Sequence, residues 1–101
     1  MTKKTFVANW KMQLPFHPAL DFVKNNFNTL TALSMLPEKE IILCPSFTEL
    51  YPITLLTGDT RIQIGAQNVS IFTQGAYTGQ VSATSLAEIG CTYCIIGHSE
   101  T

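Results

Sequence analysis

Two short apolar runs are each followed by side chains able to do chemistry. Asn9 and Lys11 stand at the end of the run 5–9, and His98 and Glu100 stand just past the run 92–96. If both runs are parallel strands of one sheet, all four residues emerge at its carboxyl-terminal edge, which is where α/β enzymes bind ligands. A cationic amine and an imidazole converging on one pocket could hold an oxyanion there. Position alone gives a site and not a reaction, because lysines and histidines at strand ends are more often solvated loop residues than catalysts.

The intervening sequence supplies the elements that must place these groups. Residues 5–9 form a first strand, after which Leu14-Pro15 blocks an immediate helix. Leu20, Val23, Phe27 and Leu30 recur at the three-to-four spacing of one helical face, which predicts a helix over 18–36 ending before Pro37, with the stripe as core. Ile41-Ile42-Leu43-Cys44, closed by Pro45, suits a strand covered on both faces. Ser46 and Glu49 have the spacing of a capping box, so a second helix is expected through Leu56 to a stop near Gly58. A third strand is read over 61–65, a short helix capped by Ser82 and ended by a left-handed Gly90, and a fourth strand over 92–96. This alternation predicts an α/β fold with a parallel sheet. Fourteen residues, 68–81, make a connection longer than such units need, and its polar tip at Tyr77-Thr78-Gly79 is a natural partner surface.

Composition excludes several classes. A chain of 101 residues, 46% hydrophobic and 13% charged, fits one small domain with ample core and is not expected to be disordered. Six basic against seven acidic side chains, with no run of like charge, argue against nucleic-acid and membrane partners. Met1-Thr2-Lys3-Lys4 is followed by an apolar stretch that Asn9 and Lys11 interrupt too soon for a signal peptide, and no membrane span is expected. Three cysteines cannot close a disulfide framework, which points to a reducing, cytoplasmic setting.

Val7-Ala8-Asn9-Trp10-Lys11-Met12 and Ile95-Ile96-Gly97-His98-Ser99-Glu100 resemble the strand-one and strand-four signatures of the triosephosphate isomerases. Ile64-Gly65-Ala66-Gln67-Asn68-Val69, Gly75-Ala76-Tyr77-Thr78-Gly79 and Gly90 fall in register between them, so the resemblance covers essentially the whole chain. It implies a (β/α)8 barrel, of which residues 1–101 would be the truncated N-terminal part of one domain, with roughly four strands and three helices. It further implies interconversion of dihydroxyacetone phosphate and glyceraldehyde 3-phosphate through an enediolate, with neither metal nor cofactor. In that scheme His98 is a neutral donor to the substrate oxygens, Lys11 supplies positive charge beside them, and Asn9 hydrogen-bonds near the substrate. Glu100 lies beside the lysine, either catalytic or orienting; Ser99 holds the resting catalytic base or caps a following helix. Trp10 is expected to pack rather than touch substrate, and His17 to be solvated ahead of the first helix.

The glutamate base, the closing lid and the glycine-rich phosphate site of the family have no counterpart here, so the expectation is that these residues alone do not turn over. Thr78, with Tyr77 and Gly79, matches the loop that enters a neighbouring subunit, which implies a homodimer through 68–81. Three positions depart from the family pattern. Gln13 replaces an asparagine, Gln80 a glutamate and Thr101 an arginine, and the last two would normally pair. A joint loss of a buried pair can be nearly neutral, so Gln80→Glu alone is expected to destabilise.

Two other readings remain at this point. Cys91-Thr92-Tyr93-Cys94 has redox or zinc spacing, but it falls between a helix end and a strand, where the second thiol would be packed into the sheet; Cys44, His17 and His98 are the further ligands within reach of a zinc reading. The chain could also be a non-catalytic binding module that recognises its partner through the loop around Tyr77.

Overall fold

The computed structural model describes residues 4–11, 13–70, 75–76 and 78–96. Four strands, β1 (Lys4–Asn9), β2 (Lys39–Cys44), β3 (Gln63–Ala66) and β4 (Tyr93–Cys94), alternate with helices α1 (Phe16–Asn25), α2 (Phe27–Ser34), α3 (Phe47–Thr57) and α4 (Ala83–Glu88). The strands form one sheet in the order β1-β2-β3-β4, every pair parallel. This is the α/β arrangement of a partial barrel wall, in which neighbours in sequence are neighbours in space.

β2 is an interior strand, as its unbroken apolar run requires. Ile41 and Leu43 join Ile64 and Ala66 of β3, Val23 of α1, and Leu50 and Ile53 of α3 in one core. Full burial of side chains such as Val23, Leu50 and Ile53 contributes about 1.5–3 kcal/mol each. The alternate residues lie on the opposite face of the sheet, where Thr5 Oγ1 and Tyr93 Oη both donate to the Glu40 carboxylate, at 3.3 and 3.1 Å. On that face a side chain at Gly65 would meet Cys44 Sγ at 2.8 Å, so the two strands approach closely only because residue 65 has no Cβ. β1, at the edge of the sheet, keeps Phe6 and Val7 half exposed.

The first helix divides where the sequence pattern reads as continuous. Asn26 leaves the helical basin at φ −110°, ψ 10°, and its Nδ2 donates to Phe22 O at 2.9 Å. Phe22 O also keeps its helical bond from Asn26 N at 3.1 Å, so side chain and backbone share that carbonyl where the helix bends. The helix also begins two residues ahead of Pro18, which lies in the first turn where a missing N–H costs nothing. His17 is therefore a helical residue, exposed, with its ring edge-on to Phe16. Ser82 caps α4 as expected, its Oγ accepting from Ser85 N at 3.2 Å, and Gly90 follows at φ +108°.

The capping box at Ser46 and Glu49 does not form. Ser46 makes no side-chain cap; its hydroxyl instead donates to Lys11 O at 3.1 Å. Glu49 is buried at 2% exposure, and its Oε2 has no hydrogen-bond partner among the described residues.

Candidate active site

The carboxyl edge of the sheet is assembled around one carbonyl. Trp10 N donates to Cys44 O at 3.1 Å, which keeps the chain on the β1–β2 ladder for one residue beyond Asn9. The Trp10 ring then packs edge-on against Phe22 of α1, centroids 5.6 Å apart, as core rather than as a ligand contact. With Trp10 held on both sides, Lys11 turns back at φ +52°, the left-handed region. For a residue with a Cβ that basin costs about 1–2 kcal/mol.

Three hydrogen bonds hold Lys11 there. Its N–H donates to Asn9 Oδ1 at 2.9 Å, and its carbonyl accepts from Gln67 Nε2 at 2.6 Å and from Ser46 Oγ at 3.1 Å. Gln67 Nε2 also donates to Cys44 O at 2.9 Å, so one amide ties the ends of β1, β2 and β3 together. At about 0.5–1.5 kcal/mol net for each bond, the set is of the size needed to offset the strain at Lys11. The sheet thus brings Asn9 and Lys11 together at this edge, Asn9 half buried and Lys11 exposed.

His98, Ser99 and Glu100 lie outside the described residues. The chain leading to them is described as far as Ile96: Thr92 N donates to Ile64 O and Ile95 N to Ala66 O, each at 2.9 Å, which carries β4 along β3 toward the edge where Gln67 stands. Gln67 and Ser46 are the participants that residue typing missed. The strand-end rule applied to Asn9 and His98 applies equally to polar residues just past β2 and β3, and would have found both.

The 68–81 connection is closed at its neck. Ser70 N donates to Val81 O, and Ser70 Oγ to Gln80 Oε1, both at 2.7 Å. Thr78 and Gly79 are exposed beyond that neck, with Gly79 at φ +85°, while Tyr77 lies outside the described residues. Gln80 is itself exposed and bonded to Ser70, and a carboxylate could accept that same hydroxyl. Thr101 lies outside the described residues.

Burial raises the thiols of Cys44 and Cys91 above the usual range, with Cys44 raised further by Cys91 nearby. Cys91, not Cys94, is the packed member of its pair: Cys91 joins the core, while Cys94 is exposed on β4, which among the described residues pairs with β3 alone. All three cysteines are free thiols, and no cluster of three metal-ligating side chains occurs among the described residues. Nor is any described helix long and apolar enough to cross a membrane.

Residues 4–101 match the family model described as triosephosphate isomerase. The triosephosphate isomerase of Dictyoglomus thermophilum is 43% identical over 100 residues, spanning 99% of this chain and 39% of that protein. That of Aquifex aeolicus is 37% identical over 99 residues, spanning 97% of this chain and 38% of that protein. A crystal structure of triosephosphate isomerase from Bartonella henselae superposes with a TM-score of 0.80 at 30% identity, covering 97% of this chain and 39% of that one. The chain thus spans about two fifths of the length of the curated relatives it matches. Sequence and fold agree over nearly every residue, and the chain belongs to the triosephosphate isomerase family.

Proposed function

We propose that the protein carrying this sequence interconverts dihydroxyacetone phosphate and glyceraldehyde 3-phosphate, and that this segment contributes the groups which stabilise the enediolate. The observation that supports the reading is the hold on Lys11: a lysine kept in a strained backbone conformation at the ligand-binding edge of a parallel sheet, beside Asn9. Strain of that kind persists where its surroundings over-determine it, and it gathers at functional sites.

The chemistry follows from charge. When a base removes a proton from the carbon next to the carbonyl, negative charge moves to oxygen, and donors already fixed in place lower the energy of that state without reorganising. The Lys11 ammonium supplies full positive charge. Asn9 uses its amide oxygen on Lys11 N, which leaves Nδ2 as the donor for a substrate oxygen. In this reading His98 is the neutral donor to the substrate oxygens, Glu100 lies beside Lys11, Ser99 holds the resting catalytic base, and no metal or cofactor is used. None of the 101 residues is assigned the role of the base, so a polypeptide of these residues alone is inactive. The same reading makes the protein a cytoplasmic homodimer whose 68–81 loop, through Tyr77, Thr78 and Gly79, meets the second copy.

Lys11→Met in the full-length protein is expected to lower kcat/KM about 100- to 1,000-fold, the usual effect of removing one oxyanion donor, with the melting temperature unchanged or raised. Steady-state isomerisation assayed in both directions checks this, and full turnover by the variant would reject the reading.

A further inference from the structure

We infer that Gln67 and Ser46 are positioning residues that act on the isomerisation through the backbone of Lys11. The inference rests on the role proposed for Lys11 above and extends it to two side chains that need not touch substrate.

Direct contact with a ligand is not required by their geometry. Gln67 spends both amide hydrogens on main-chain carbonyls, those of Lys11 and Cys44, at 2.6 and 2.9 Å. Ser46 donates its hydroxyl to the same Lys11 carbonyl at 3.1 Å, in place of capping its own helix. A serine ahead of a helix ordinarily satisfies that helix's orphan N–H groups. Here the hydroxyl hydrogen goes to the Lys11 carbonyl and α3 has no side-chain cap from Ser46, so the side chain's hydrogen bond is made to the loop and not to its own helix.

The conformation being stabilised is the one that needs help. At φ +52° a lysine drifts toward negative φ unless held, and rotation there swings the whole side chain from its anchor. Asn9 holds the N–H side of the residue and the Gln67–Ser46 pair holds the carbonyl side. Releasing the carbonyl lets the peptide plane turn and displaces the ammonium from the enediolate oxygen. A misplacement of about 1 Å in a catalytic group is enough to cost on the order of 100-fold in rate.

A double-mutant cycle in the full-length protein tests this, with Gln67→Met, Ser46→Ala and Lys11→Met singly and the first two each combined with the third. Gln67→Met is expected to lower kcat about 10- to 100-fold, and Ser46→Ala by a smaller factor that Ser46→Thr restores, with KM changed less than kcat in each. In the Lys11→Met background both effects should shrink to within about threefold, because nothing is left to position. A crystal structure of Gln67→Met should show Lys11 at negative φ. Equal losses with and without Lys11 would assign Gln67 and Ser46 a purely structural role and overturn the inference, as would full kcat in both single variants while Lys11→Met is crippled. Full turnover by Lys11→Met itself would remove the proposed function and this inference with it. If Gln67→Met fails to fold, the Ser46→Ala arm decides by the same criteria.

Discussion

Tyr93 shows how one contact fixes the behaviour of a titrating group. Its hydroxyl donates to Glu40 Oε2 at 3.1 Å across the open face of the sheet, and that hydrogen bond to a carboxylate raises the phenol above its ordinary value. The neutral phenol is the form the fold prefers. The contact therefore stabilises the protein fully below the unfolded phenol's value near 10, and the benefit is lost as pH climbs through the higher folded value. Titration at 295 nm should find Tyr93 ionising at higher pH than a free tyrosine, and Glu40→Gln should bring it down; identical curves would contradict the assignment. The cysteines differ in the same local way. Cys94 should react rapidly with an aromatic disulfide at pH 8, while Cys44 and Cys91, buried and with raised thiol pKa, should react only on unfolding. Fast reaction of all three would mean that the core around Cys44 is open.

β2 and β3 approach closely at Gly65. An alanine at Gly65 would place its Cβ 2.8 Å from Cys44 Sγ and 3.3 Å from Tyr93 Cβ, overpacking that costs about 1–3 kcal/mol. Chemical denaturation of Gly65→Ala should show that loss. Adding Cys44→Ala should recover part of it by removing the sulfur, and two strictly additive losses would argue against the contact. Elements of this kind were legible in sequence to the degree that their pattern reported burial. The run Ile41-Ile42-Leu43-Cys44 marked an interior strand, and of the stripe read as one helix Leu20 and Val23 of α1 and Leu30 of α2 lie against the core, while Phe27 is not part of it. The boundaries were legible only where no side chain had a choice of partner. Asn26 shares a carbonyl with its own backbone N–H where the helix divides, and Ser46 donates to Lys11 O and makes no side-chain cap. Both decisions depend on what lies nearby in space, Ser46 on a residue 35 positions away. At the site, Asn9 and Lys11 were read from strand-end position; Gln67 and Ser46 stand at strand ends too, but their bonds to Lys11 O, 56 and 35 positions away, are set by the fold and not by the local pattern.

At the scale of the molecule, the loop closed by Ser70, Gln80 and Val81 holds Thr78 away from the core. Thr78→Arg should therefore leave the fold of a subunit intact while weakening the proposed dimer, seen as a shift toward monomer in sedimentation equilibrium with little change in secondary structure by circular dichroism. A variant that remains dimeric at the same concentrations would place the interface elsewhere. The sheet order has a further consequence, for how the chain leaves the ribosome. Each strand's partner is the one made just before it, so pairing can proceed vectorially, one hairpin-free crossover at a time. The Lys4↔Lys39 register sets an offset of 35 residues between β1 and its first partner. At about 5–20 residues per second that is a wait of roughly 2–7 s, during which Phe6 and Val7 travel unpaired. The nascent chain is most in need of a chaperone's shelter in those seconds, before its second strand has emerged.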